Sequence, residues 1–243
     1  STITRFKAIE RFGHWVLAGS FILLGITGLL TLFGRVVLAP YFGKELNSTL
    51  LIASKWIHNN VSWAFMLALV MIFFYWVIHN LPSRTDLVWF AKGGGIIGKA
   101  HPPAKKFNGG QKLIFWSVII LGGSISASGL ALLFPFELNM FAATFDKMRA
   151  FGITELPVYG ALPETLTPHS EMMHAQVWHA VVSFLLMGII IAHIYIGSVG
   201  MEGAYDAMGS GQVEEQWAKE HHGLWVEEVQ AKEAKSAAAT PAE

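Results

Sequence analysis

Four stretches of the chain are apolar almost throughout, and each is long enough to cross a bilayer, which takes about 20 mostly apolar residues in a helix. They run from Arg11 to Phe33, from Trp56 to Ile78, from Lys112 to Phe134 and from Met173 to Val199. Helix breakers separate them: Pro40 and Gly43 in the first connection, Pro82 and Gly93-Gly94-Gly95 in the second, and Pro157, Pro163 and Pro168 in the third. The pattern predicts an all-α integral membrane protein, a four-transmembrane-helix bundle over residues 1–205. A polar tail follows over 206–243, and its small Ala, Lys and Glu residues from about Ala231 predict a frayed end. The first apolar run is too long for a signal peptide and lacks an Ala-x-Ala-like cleavage site, so it reads as a retained span.

Charge orients the spans. The N-terminus, the second connection (Arg84, Lys92, Lys99, Lys105, Lys106, Lys112) and the tail together hold twelve of the seventeen Lys and Arg residues. Positive loops face the cytoplasm, so both termini are expected there and the first and third connections on the opposite, periplasmic side. The third connection is acidic, with Glu137, Asp146, Glu155, Glu164 and Glu171, and is the longest extramembrane surface on that face. It reads as a docking platform for a partner.

Composition narrows the chemistry. The chain is 53% hydrophobic and 14% charged, with zero formal net charge and no cysteine. Nothing points to nucleic acid; membrane lipid is the expected surrounding. Disulfides, thiolate-bound iron–sulfur clusters, thiolate haem ligation and cysteine nucleophiles are excluded within it. No connection carries paired carboxylates or a nucleophile setting. Gly93-Gly94-Gly95 lacks the lysine and Ser/Thr that close a phosphate loop and reads as a turn. By itself the chain is not expected to be an enzyme.

Histidine remains, and there are ten. A titratable side chain inside a bilayer is costly and reads as functional. His14 lies near the cytoplasmic end of the first span, His58 near the periplasmic end of the second, and the fourth holds His179 near the periplasmic end and His193 near the cytoplasmic end. Depth sorts them into two pairs, His58 with His179 and His14 with His193. Fourteen residues at 100° and 1.5 Å per residue return His193 to within about 40° of the face of His179, roughly 21 Å along the helix. Two flat cofactors could therefore stack along one side of that helix. Neutral imidazole is a good axial ligand for haem iron, and two fill both axial positions, which leaves a carrier of electrons with no open site.

Small residues supply room for a porphyrin: Gly19, Gly25 and Gly28 in the first span, Gly122, Gly123, Ser124, Ser126, Ser128 and Gly129 in the third, and Gly188 in the fourth. Arg11 or Lys55 would either pair with propionates or snorkel to lipid headgroups. The other histidines are weaker candidates: His79 and His101 at or beyond the cytoplasmic boundary, His169 in the long loop, His174 on a different face from His179, and His221-His222 in the tail. Zinc would need more converging ligands than the spans offer. Histidines serving as proton relays or packing groups in a transporter or anchor are the alternative from another functional class.

Several segments resemble a known family. Arg11-Phe12-Gly13-His14-Trp15, Trp56-Ile57-His58, Lys106-Phe107-Asn108-Gly109-Gly110-Gln111-Lys112, Trp178-His179, Ala192-His193-Ile194-Tyr195 and Trp217-Ala218-Lys219-Glu220-His221-His222 are similar to the gamma subunit, the membrane cytochrome b, of respiratory formate dehydrogenases. The resemblance covers nearly the whole chain; cytochromes serving hydrogenases and thiosulfate reductases share the histidines in part, so the cytochrome b subunit of a hydrogenase or another periplasmic oxidoreductase is the alternative among redox proteins. It implies two haem b groups, one on His58 and His179 and one on His14 and His193. It also implies a quinone pocket (menaquinone or ubiquinone) at Asn108, Gly110 and Gln111 beside His193, where Asn108 would otherwise cap the third helix. Implied partners are an iron–sulfur beta subunit and a molybdenum- or tungsten-containing alpha subunit on the periplasmic side of the bacterial inner membrane, with a trimer of heterotrimers suggested. The third connection, 137–169, is longer than the family pattern.

Overall fold

The computed structural model describes residues 1–98 and 101–241. Lys99, counted above among the basic residues, and Ala242 and Glu243 of the tail lie outside the described residues. In chain order the elements are β1 (Thr2–Thr4), α1 (Ala8–Phe33), α2 (Lys44–Trp76), α3 (Arg84–Ala91), α4 (Gly109–Leu133), α5 (Met140–Ala150), β2 (Glu155–Leu156), β3 (Gly160–Ala161), α6 (Pro168–Ile196), β4 (Gln212–Glu214), α7 (Glu215–His221) and α8 (Gly223–Ala239). The protein is all-α but for two two-stranded ribbons. Four helices, α1, α2, α4 and α6, have the length and apolarity of membrane spans, with mean hydropathy from 1.6 to 2.2. Ile22, Ile26, Leu67, Phe74, Leu113, Ile120, Val181 and Ile191 lie exposed along them. So much uncovered apolar surface suits a hydrocarbon surrounding, where every backbone group must be satisfied inside the helix.

The observed helices begin earlier than hydropathy indicates. Helix α2 starts at Lys44, not near Trp56, because its first turns are helix-compatible but polar. At 1.5 Å per residue its 33 residues are longer than a hydrocarbon core of about 30 Å. Pro40 does not break the first span. Helix α1 runs on through a π-helical stretch, Gly34–Leu38, into Ala39–Phe42, where Pro40 occupies the first turn and needs no hydrogen-bonded N–H. The break falls at Gly43, whose φ of 85° suits only glycine. Helix α6 starts at Pro168, with the Thr167 hydroxyl accepting the N–H of Ser170, so His169 sits in a helical turn and not in the loop.

The chain divides into two compact units. One comprises Ser1–Gly19, Leu67–Ile119 and Ile189–Glu243, and the other Ser20–Met66 and Ile120–Gly188. The first gathers the three segments that carry twelve of the seventeen Lys and Arg residues.

In the first unit, β1 pairs antiparallel with β4, tying the N-terminus to the segment after the fourth span. The Arg5 guanidinium is buried, donates to the Lys106 carbonyl at 2.6 Å and lies over the rings of Phe6, Phe107 and Trp225. Burial lowers its pKa to about 9, against the opposing effect of Glu10. His222 is 1% exposed and its Nδ1 lies 2.8 Å from the Lys105 carbonyl oxygen, so it belongs to a packed core and not to an exposed tail. Burial, then the charge of Arg5, holds its pKa well below the ordinary histidine value. Helix α8 runs to Ala239; Ala, Lys and Glu are strong helix formers even without burial.

In the second unit the long third connection is folded. Glu171, expected among the docking charges, is buried and accepts the backbone N–H groups of Phe141 and Ala142 at 2.6 and 3.0 Å, which caps α5. His174 bonds through Nε2 to the Tyr159 hydroxyl at 2.8 Å and through Nδ1 to the Ser170 carbonyl at 2.6 Å. Nε2 ties the turn between β2 and β3 to α6 and Nδ1 bonds back within α6, so both nitrogens are used without a ligand role.

Candidate functional site

The four candidate histidines come together in the two expected pairs, one inside each unit. His58 of α2 and His179 of α6 have ring centroids 6.2 Å apart with planes at 73°. His14 of α1 and His193 of α6 have centroids 6.3 Å apart with planes at 62°. An imidazole nitrogen binds a transition metal at about 2.0–2.1 Å and the ring centre lies about 1.1–1.2 Å further, so two rings on opposite sides of one metal sit roughly 6.3 Å apart. Both pairs match that spacing. Among the described residues no group of three or more His, Asp or Glu gathers to hold a bare ion. A haem iron carries four porphyrin nitrogens already and asks the protein for two axial ligands, which is what each pair offers.

The His58–His179 pair is braced from the neighbouring helices in the same way on both sides. The Thr27 hydroxyl of α1 lies 2.9 Å from His58 Nδ1, and the Ser128 hydroxyl of α4 lies 2.9 Å from His179 Nδ1. Both hydroxyl residues are 3% exposed. The next residue in each helix is glycine, and a Cβ at Gly28 or Gly129 would stand 3.4 Å from Cε1 of His58 or His179 respectively. Trp178, beside His179, donates its indole N–H to the Ser124 hydroxyl at 2.7 Å. Sequence reading saw Gly28, Ser128 and Gly129 only as small residues and passed over Thr27. The signal that could have found them is the hydroxyl-glycine dipeptide, Thr27-Gly28 and Ser128-Gly129, in two of the spans.

The His14–His193 pair is set differently. Among the described residues the buried His14 Nδ1 has no hydrogen-bond partner, and the ring meets Trp15 edge-on at 4.9 Å. Trp15 donates to the Met208 carbonyl at 2.9 Å, and Arg11 to the Gly209 carbonyl at 3.3 Å. Arg11 Nε is buried without a partner, an orphan donor one helical turn from His14 that would suit an anionic group such as a propionate.

Asn108 and Gln111 do meet. The Asn108 side-chain oxygen accepts the Gln111 N–H, and the Gln111 side-chain oxygen accepts the Asn108 N–H, each at 2.9 Å. This is a reciprocal capping box opening α4. Both carbonyl oxygens are spent on the cap, while among the described residues neither side-chain NH2 has an acceptor. Gly109 and Gly110 lie under the Trp89 and Phe90 rings; a Cβ on Gly109 would come within 2.7 Å of Phe90 and one on Gly110 within 2.9 Å of Trp89. Among the described residues no hydrogen bond or ring contact joins either amide to His193.

The family model of the prokaryotic cytochrome b561 family matches residues 5–211. The chain belongs to that family. This membrane cytochrome is 27% identical over 237 residues to the cytochrome b556(Fdn) subunit of the nitrate-inducible formate dehydrogenase of Escherichia coli K12, covering 96% of this chain and 94% of the relative. It is 29% identical over 231 residues to the cytochrome b556(fdo) subunit of formate dehydrogenase from the same organism, covering 94% and 93%. With the formate dehydrogenase cytochrome b556 subunit of Haemophilus influenzae it shares 26% identity over 232 residues, covering 93% of this chain and 83% of the relative. The cytochrome is thus a multi-span membrane protein homologous to formate dehydrogenase cytochrome b556 subunits.

Proposed function

We propose that this cytochrome is the di-haem, quinone-reducing subunit of a membrane-bound formate dehydrogenase. The observation that carries the reading is the pair of histidine pairs at 6.2 and 6.3 Å, each drawn from two apolar helices. His58 and His179 hold one haem b and His14 and His193 the other. When bound, each haem supplies a reversible one-electron couple. The protein's own part is to present neutral imidazoles, to exclude water with the surrounding apolar helices, and to leave room at Gly28 and Gly129 for the ligand rings. It accepts electrons from an iron–sulfur partner on the periplasmic side, where a molybdenum- or tungsten-containing subunit oxidises formate, and delivers them to a quinone on the cytoplasmic side.

The free NH2 groups of Asn108 and Gln111 suit a quinone carbonyl, which is a hydrogen-bond acceptor. The capping role and the quinone role use different atoms of the same side chains, so they are compatible. Cytoplasmic placement of both termini follows from the concentration of Lys and Arg in the first unit. The catalytic chemistry belongs to the partner. Accordingly His193→Ala in the assembled complex abolishes quinone reduction while formate oxidation with an artificial dye continues. Loss of both activities in a fully assembled complex contradicts the proposal.

A further inference from the structure

The two histidine pairs differ in what their Nδ1 atoms touch, and the hydrogens around one pair can be counted. A hydroxyl carries a single hydrogen. Thr27 Oγ1 donates it back to its own helix, to the Leu23 and Leu24 carbonyls at 2.9 and 3.1 Å, so toward His58 Nδ1 it presents a lone pair. Ser128 Oγ does the same with the Ser124 and Ile125 carbonyls, both at 3.0 Å. His179 Nδ1 also lies 3.1 Å from the Ile125 carbonyl oxygen, which can only accept. The Ile125 carbonyl calls for the ring hydrogen on Nδ1 of His179, and the same arrangement at His58, with the Thr27 hydrogen kept on its own helix, leaves Nε2 of both rings free for a metal. In the other pair, His14 Nδ1 is buried with no acceptor, and among the described residues no hydrogen bond reaches either nitrogen of His193.

A ligand imidazole that donates its second N–H to an acceptor becomes a more basic ligand, because electron density moves into the ring. A more basic axial ligand stabilises oxidised iron relative to reduced iron. We infer that the Thr27 and Ser128 hydroxyls are positioning residues that fix the tautomer of His58 and His179 and set the haem of that pair at a lower reduction potential than the haem on His14 and His193. With haems bound, that order of potentials would favour electron transfer from the His58–His179 haem, which would be oxidised, to the His14–His193 haem, which would be reduced, with no proton transferred. The direction of transfer across the membrane would thus be written into two buried hydroxyls. The inference rests on the ligation proposed above.

The experiment is a potentiometric titration of the purified complex, read in the reduced-minus-oxidised visible spectrum, for wild type, Thr27→Val, Ser128→Ala and the double variant. Wild type gives two resolved waves. In the variants the lower wave rises toward the upper one, most in the double variant, and the upper wave stays in place. Thr27→Ser retains the hydroxyl and leaves the lower wave where it is. Coincident waves in wild type, two retained haems with neither wave moved, or movement of the upper wave alone each overturn the inference. So does a shift in Thr27→Ser as large as in Thr27→Val, which would trace the effect to packing. Should the double variant lose a haem, retention of that haem by Thr27→Ser with Ser128→Thr supports the hydroxyl role, and its loss there overturns it. Absence of haem from the wild-type protein, by contrast, defeats the ligation reading itself.

Discussion

The His58–His179 pair is enclosed by a matched frame, whereas the His14–His193 pair is not. Around the first, a buried hydroxyl and the glycine after it approach each ring from a neighbouring helix. Around the second, among the described residues His14 Nδ1 has no partner, and Arg11, three residues earlier in α1, has a buried Nε that also has none. Two histidine pairs at the same spacing are thus held with hydrogen-bonded Nδ1 atoms in one place and beside unpartnered nitrogens in the other. The difference suggests distinct tasks: one site built to fix an electronic state, the other left open to pair with something the protein does not itself supply.

Removing a ligand should give the largest effect. His58→Ala and His14→Ala should each reduce the haem content from two to one per chain, measured by pyridine haemochrome, and the remaining haem should differ between the two variants in its potential. Loss of both haems from either variant would show that the pairs are not independent. The glycines come next. At Gly129 a valine would put methyl groups into the His179 ring, because even a Cβ stands at 3.4 Å, so Gly129→Val should lose most of one haem; overpacking of this kind costs about 1–3 kcal/mol. Gly13 is the matching control, since its Cβ would meet Ile72 and not a histidine, and Gly13→Ala should keep both haems.

A smaller and more selective effect is expected at the capping box. In Asn108→Asp the carboxylate still accepts the Gln111 N–H, so the helix start survives, but the NH2 donor is gone. The variant should raise KM for quinone several-fold with unchanged thermal stability. Asn108→Ala should in addition lose about 1 kcal/mol of stability with the cap. Equal quinone kinetics in wild type and Asn108→Asp would remove the amide from the pocket.

The smallest effect is a pH dependence confined to the first unit. His222 is held neutral by burial and by Arg5, so its folded pKa lies below its unfolded value near 6.5. The unfolded state then binds more protons in that window, and the stability contributed is complete above the unfolded pKa and lost as pH falls through the folded one. Amide protection around β1, β4 and α7, corrected for the intrinsic pH dependence of exchange, should fall from pH 7.5 to pH 5, and much less so in His222→Gln. Protection factors that are equal at both pH values would deny His222 this role.

Much of this could be read along the chain, for physical reasons that differ by residue. His14, His58, His179 and His193 stood out because a titratable group in an apolar helix is costly, and helical periodicity then paired them. Thr27 and Ser128 did not stand out, because a hydroxyl in a membrane helix is usually accounted for by its own i−4 carbonyl. Both residues make that bond, and only the position of a second helix shows the lone pair left for an imidazole. The first turns of α2 escaped hydropathy because they are helical but polar. Glu171 and His222 were read as surface groups because nothing in their local sequence reveals the distant N–H and C=O groups they satisfy.

The central claim is that each histidine pair holds one haem, and the pyridine haemochrome count combined with a reduced-minus-oxidised spectrum of the detergent-purified protein tests it most directly. The account predicts two b-type haems per chain, both low-spin. A well-folded protein with no haem would contradict it and return the four histidines to proton relay or helix packing.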